Sequence, residues 1–134
     1  MKQIIKIRTL KSDFGIEDLW SAYLFSTFFL YMVKNNPGDL KSVNIVVGKE
    51  LLPDLQERVI IALNNLLKDS YLEPSINELQ KHPTRFETIL LNGRKYKVNY
   101  RLSEVGRMAY AIYCLINFIN DAILEGNEIY LEFN

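Results

Sequence analysis

The chain holds 134 residues, 49% hydrophobic and 24% charged, with 16 Lys+Arg against 16 Asp+Glu, a single His and a single Cys. That is the length of one folded domain, 1–134, and the composition of a globular protein rather than a disordered one. Zero formal net charge offers no global field for collecting nucleic acid or anionic membrane; one Cys excludes an internal disulfide, and one His excludes a site built on two imidazoles.

The opening residues MKQIIKIRTLKSDFG break their apolar run with Lys6 and Arg8 and carry no small-residue cleavage site, so they do not read as a signal peptide. Residues 2–10 alternate as a strand, with Ile5 and Ile7 on one face and Lys2, Lys6 and Arg8 on the other. Residues 11–15 read as a turn in which Asp13 caps a helix over 16–34, stopped by Asn35-Asn36-Pro37-Gly38. Within that helix the apolar run 19–33 rises about 22 Å, short of the ~30 Å hydrocarbon core, so no membrane span is expected. With neither export signal nor disulfide, the expected location is the cytoplasm.

The β-branched run 43–48, VNIVVG, predicts a strand, and a second helix follows from about Leu51 with Pro53 in its first turn. Leu52, Leu55, Val59, Ala62, Leu63 and Leu66 keep helical spacing along it. Residues 69–84 contain Pro74 and Pro83 and read as a connection with one short helix over 75–81. The strongest local signal spans 85–102, where Asn92-Gly93 separates two strand-like runs as a type I′ hairpin turn. That turn sets Leu91 opposite Arg94 and Ile89 opposite Tyr96. It groups Tyr96, Val98, Tyr100 and Leu102 on one face and Lys95, Lys97, Asn99 and Arg101 on the other. Ser103 predicts the N-cap of a third helix with an apolar stripe from Val105 to Ile123, stopped at Gly126. Residues 128–133 alternate again as a closing strand.

The resulting order is β-α-β-α-β-β-α-β. Strands with a polar face predict an α+β, two-layer fold: a mixed or antiparallel sheet of about five strands with three helices mainly on one face. A three-layer α/β sheet is the alternative.

Chemistry-bearing residues are sparse. His82 lies in Lys81-His82-Pro83 and reads as an exposed loop histidine, or alternatively as the general base of a small enzyme working with dispersed carboxylates. Cys114 sits inside the third helix and reads as a small buried hydrophobe. Glu50, Asp54 and Glu57 share a helical face and read as a solvated surface paired with Arg58, rather than as a Mg²⁺ site. The sequence holds no GxSxG elbow, no GxxxxGK[ST] loop, no GxGxxG and no HExxH. No catalytic residue, cofactor or metal is therefore assigned.

Charge is uneven along the chain. Residues 88–103 hold Arg94, Lys95, Lys97 and Arg101 with no acid, while 108–134 hold Asp121, Glu125, Glu128 and Glu132 with no base. Across a sheet such residues pair and specify register; displayed outward they form a surface for a partner. The expected partner surface is Lys95, Lys97, Asn99, Arg101, Glu128, Tyr130 and Glu132. The leading expectation is a non-enzymatic protein-binding module, of the kind of a small bacterial immunity or inhibitor protein that masks a toxin or enzyme. Three alternatives stand beside it: a small-ligand-binding domain walled by the aromatics Trp20, Tyr23, Phe25, Phe28, Phe29 and Tyr31, the His82 enzyme, and a weak nucleic-acid binder acting through the basic hairpin. Phe86 and Tyr130 could stack bases beside the hairpin cations, but no RNP-like aromatic pattern surrounds them, which makes nucleic acid the less favoured partner. A homodimer is left open.

Overall fold

The computed structural model describes residues 5–9, 13–16 and 44–133. In chain order these form β1 (Ile5–Arg8), β2 (Asp13–Ile16), β3 (Asn44–Val47), α1 (Leu52–Ser70), α2 (Ile76–Lys81), β4 (Phe86–Leu91), β5 (Arg94–Asn99), α3 (Glu104–Glu125) and β6 (Ile129–Phe133). Short 3₁₀ turns, Lys49–Leu51 and Pro83–Arg85, lead into α1 and β4.

The expected single sheet of about five strands does not form. The described strands make a four-stranded sheet of order β2-β1-β6-β3 and a separate two-stranded sheet, β4-β5. Among the described residues every pairing is antiparallel, which also counts against the three-layer α/β alternative, because that architecture rests on parallel strands joined by crossover helices. The expected order fails at its second element. Residues 13–16, read as the end of a turn and a helix start, pair with β1 as a strand, Asp13 opposite Arg8 and Ile16 opposite Ile5. The rest of the expected first helix, with its aromatic residues, lies outside the described residues.

The chain divides into two compact units, Met1–Val59 with Leu115–Asn134, and Ile60–Cys114. In the first unit, β6 lies between β1 and β3. Lys6 stands opposite Glu132 and Ile7 opposite Leu131 across one seam; Ile45 stands opposite Leu131 and Val47 opposite Ile129 across the other. Positions in step with the fully buried pair Val47–Ile129 are apolar throughout: Ile5, Ile7, Phe14, Ile16, Ile45, Leu131 and Phe133. The alternate rows hold Lys6, Arg8, Asp13, Gly15, Asn44 and Glu132 together with Val46 and Tyr130, a period-two pattern with one apolar and one mostly polar side. Leu52, Leu55 and Val59 of α1, and Leu115, Ile116, Ile119 and Ala122 of α3, complete this unit's buried set. The Gln56 amide donates to the Ile116 carbonyl and the Asn120 side-chain oxygen, each at 3.4 Å, and ties the two helical stretches together.

The second unit is built around the hairpin. Asn92 and Gly93 take φ values of 52° and 77°, as a type I′ turn requires. Leu91 faces Arg94 and Ile89 faces Tyr96 in the register the turn dictates. Ile89, Leu91 and Val98 are buried with Ala62, Leu63 and Leu67 of α1 and Ala109 and Ile112 of α3; burying each large aliphatic side chain contributes about 1.5–3 kcal/mol. β5 ends at Asn99, earlier than its alternation suggests, because the Asn99 side-chain oxygen accepts from the backbone N–H groups of Arg101 and Leu102 and turns the chain. Leu102, placed by its alternation on the inner face, is exposed as a result.

Two helix starts are side-chain capped. Ser75 Oγ accepts from Glu78 N, and Ser103 Oγ accepts from Gly106 N. Gly126, with φ of 68°, ends α3. By length and composition this 22-residue helix is apolar enough to cross a membrane, with mean hydropathy 1.2 over its most apolar window; core helices of folded domains pass the same test.

Candidate functional site

Several candidate features lie in the Ile60–Cys114 unit, which contains the hairpin. Strand alternation puts Lys95, Lys97 and Asn99 on the hairpin's outer face, opposite Leu90, Thr88 and Phe86 in turn. Lys95, Lys97 and Leu90 are exposed. Lys97 is held twice: its ammonium donates to Thr88 Oγ1, and its backbone N–H donates to the Tyr71 hydroxyl at 3.2 Å. Tyr71 thereby satisfies part of the free edge of β5, which an isolated hairpin would leave open.

Arg101 lies in the turn after β5. Its Nε donates to the Tyr100 hydroxyl at 3.2 Å, and its guanidinium carbon stands 5.6 Å from the Tyr100 ring centroid. That hydrogen bond pushes the Arg101 pKa further above its ordinary value. The Tyr100 ring packs against Tyr110 with centroids 5.5 Å apart, and Arg107 donates to the Arg101 carbonyl at 3.0 Å. The basic turn is thus anchored to the first turns of α3.

Beside this face lies a cleft of about 340 Å³. Tyr71, Phe86 and Val98 supply its apolar wall, Lys97 a cation, and Glu73 and Glu78 a pair of carboxylates. Its rim carries Leu72, 88% exposed, and nearby Ile76 is 74% exposed. Together they give this stretch apolar area that a partner can cover. A second cleft, about 320 Å³, lies where α1 meets β5 and shares Tyr71 with the first.

The expected partner surface is brought together only in part. Lys95, Lys97, Asn99 and Arg101 share the hairpin and its following turn, in the second unit. Glu128, Tyr130 and Glu132 belong to the first, where Tyr130 stands opposite Arg8 and Val46, and Glu132 opposite Lys6 and Asn44. Glu132 therefore takes the cross-strand place beside a lysine that the charge pattern suggests. Sequence reasoning assigns no role to Tyr71, Leu72, Glu73 and Glu78, which lie in a stretch read as a connection with one short helix over 75–81. The one available signal was a pair of bulky apolar residues, Leu72 and Ile76, among acids without a periodicity that would bury them.

His82 is exposed, closes the C-terminal end of α2 and lines neither of these clefts. Cys114 is half-buried; burial raises its thiol pKa, a hydrogen bond from Tyr110 lowers it in part, and Glu87 raises it further. Tyr110 is pushed up in turn, first by the charge on Cys114 and then by burial. Asp54 and Arg58 form an i, i+4 pair at 3.7 Å with both side chains nearly half exposed, the solvated arrangement the helical spacing suggests. Among the described residues no group of three or more His, Cys, Asp or Glu is placed to hold a metal ion. Compared with family models, with curated proteins and with solved structures, the chain finds no match.

Proposed function

We propose that this chain is a protein-binding module that works through the outer face of its hairpin and the adjoining larger cleft. The observation that carries this reading is the composition of the exposed residues of one compact unit. Exposed Leu72 and Ile76, the carboxylates Glu73 and Glu78, and the cations Lys95, Lys97 and Arg101 all belong to a single compact unit. A polyanion would be attracted by the cations and repelled by the neighbouring acids. A protein surface offers both charge signs and apolar area together, so it fits this mixture better. Arg101 is already hydrogen-bonded to Tyr100, and Lys97 to Thr88, so less conformational freedom is lost on binding.

The partner class we propose is a toxin or enzyme whose active site is masked, as by a small immunity or inhibitor protein. The mixed, pre-ordered surface on a small scaffold supports that choice. The test is affinity purification of the tagged chain from its native cell, in parallel with the double variant Lys97→Glu/Arg101→Glu. The expected result is a stoichiometric protein companion held by the wild type and released by moderate salt, whose affinity falls on the order of tenfold or more in the variant, with the melting temperature unchanged. A companion held equally by the variant would remove this surface, and recovery of nucleic acid alone would remove the partner class.

A further inference from the structure

We propose a second binding site, for a small ligand that carries an oxyanion on an aromatic or other planar body, in the smaller cleft between α1 and β5. It goes beyond the protein-binding reading: it shares Leu67 and Tyr71 with the larger cleft, but its cations, Lys68 and Arg94, belong to the smaller one alone. Asn64, Leu67, Lys68 and Tyr71 follow i, i+3, i+4, i+7 spacing, so they form one stripe, and Tyr71 prolongs the helical path because its N–H donates to the Leu67 carbonyl at 3.0 Å. Arg94 and Tyr96 are two apart on β5 and so share a face. These six residues wall a cleft of about 320 Å³.

Among the described residues the charge in this cleft has one sign: Lys68 and Arg94 line it, no carboxylate does, and neither cation has an ion-pair partner. The aromatic walls are fixed. The Arg94 guanidinium carbon stands 4.6 Å over the Tyr96 ring centroid. Tyr71 meets Tyr96 edge-on, with centroids 5.0 Å apart at 86°, and its hydroxyl is held by the Lys97 N–H. A guanidinium held over a ring through its carbon still has N–H groups to donate to the oxygens of a phosphate or carboxylate. Lys68 adds a point charge and Asn64 an amide donor, while the tyrosine rings offer apolar area for a planar body. An ordinary solvated surface would scatter cations among acids; this cleft joins two unneutralised cations to two oriented rings.

The test is an NMR titration of the full chain at low salt with phenyl phosphate, inorganic phosphate and benzyl alcohol as probes. Phenyl phosphate is expected to give saturable amide shifts confined to residues 64–71 and 94–96 and to bind more tightly than inorganic phosphate; benzyl alcohol is expected to show no saturation. Arg94→Met and Lys68→Met, each checked for an unchanged melting curve, should weaken phenyl phosphate about tenfold, whereas Lys95→Met, a cation outside the cleft, should not. Arg94→Lys should recover only part of the loss. Arg101→Met, a neutral change in the protein-binding face outside this cleft, should retain phenyl phosphate binding, which separates this site from that face. No saturation, equal binding of the two phosphates, unchanged binding in both methionine variants, or an equal loss in Lys95→Met would each overturn the proposal.

Discussion

Gly106 sits in the first turn of α3, where the helix meets the end of β5. A methyl group there would stand 2.2 Å from the Asn99 carbonyl oxygen and 2.6 Å from its carbon. Alanine is the better helix former by up to about 1 kcal/mol, but the overlap is with backbone that is itself fixed by the Asn99 turn, and overpacking of this kind costs about 1–3 kcal/mol. The overlap wins. Gly106→Ala should lower stability in a denaturant titration, and a stabilised variant would show that the two elements are not so close. At Cys114 the dominant effect is burial, which raises the thiol pKa. The neutral thiol is therefore the favoured folded form. Its contribution to stability is complete below the ordinary thiol pKa and is lost as pH rises through the raised one. The folded protein should accordingly react with iodoacetamide along a pH profile displaced upward from that of the urea-unfolded chain; a coincident or lower profile would contradict the assignment.

At the scale of elements, the hairpin depends on its turn. Gly93 at φ of 77° occupies backbone space that any L side chain enters at a cost, so Gly93→Ala should destabilise by about 1–2 kcal/mol, read from the denaturation midpoint at constant slope. Ser103→Ala, which leaves Gly106 N without its acceptor, should cost about 1 kcal/mol by the same measurement. These features were legible in the sequence because each is decided by a handful of neighbouring residues: Asn92-Gly93 for the turn, Ser75 and Ser103 for the caps, Gly126 for the stop. β2 was not legible. Asp13 and Gly15 disfavour a strand intrinsically, and only pairing with β1 draws Asp13–Ile16 into the sheet. The end of β5 was overrun because the alternation of large and polar residues continues through Arg101, while the Asn99 side chain captures the backbone N–H groups that a longer strand would have presented.

At the scale of the whole molecule, alternation tells which residues share a face but not which strand lies beside which. The partition into a four-stranded sheet and a lone hairpin is set by non-local pairing and so escaped the sequence. The same holds for the candidate site. Its cations were visible as a charge run, but the clefts depend on Tyr71 meeting Tyr96 and Lys97 across about 26 residues of chain, a separation recorded for the Tyr71–Lys97 bond. The zero net charge conceals a local imbalance, and a complex formed through Lys95, Lys97 and Arg101 should weaken as salt rises past the point where the Debye length falls to about 10 Å.

Hydrogen–deuterium exchange on the isolated complex tests most directly whether this surface does the work. Binding of the companion protein should slow exchange at residues 71–78 and 94–102 and leave β1, β2, β3 and β6 at their free rates. Protection confined to the four-stranded sheet, with the hairpin unchanged, would contradict the account.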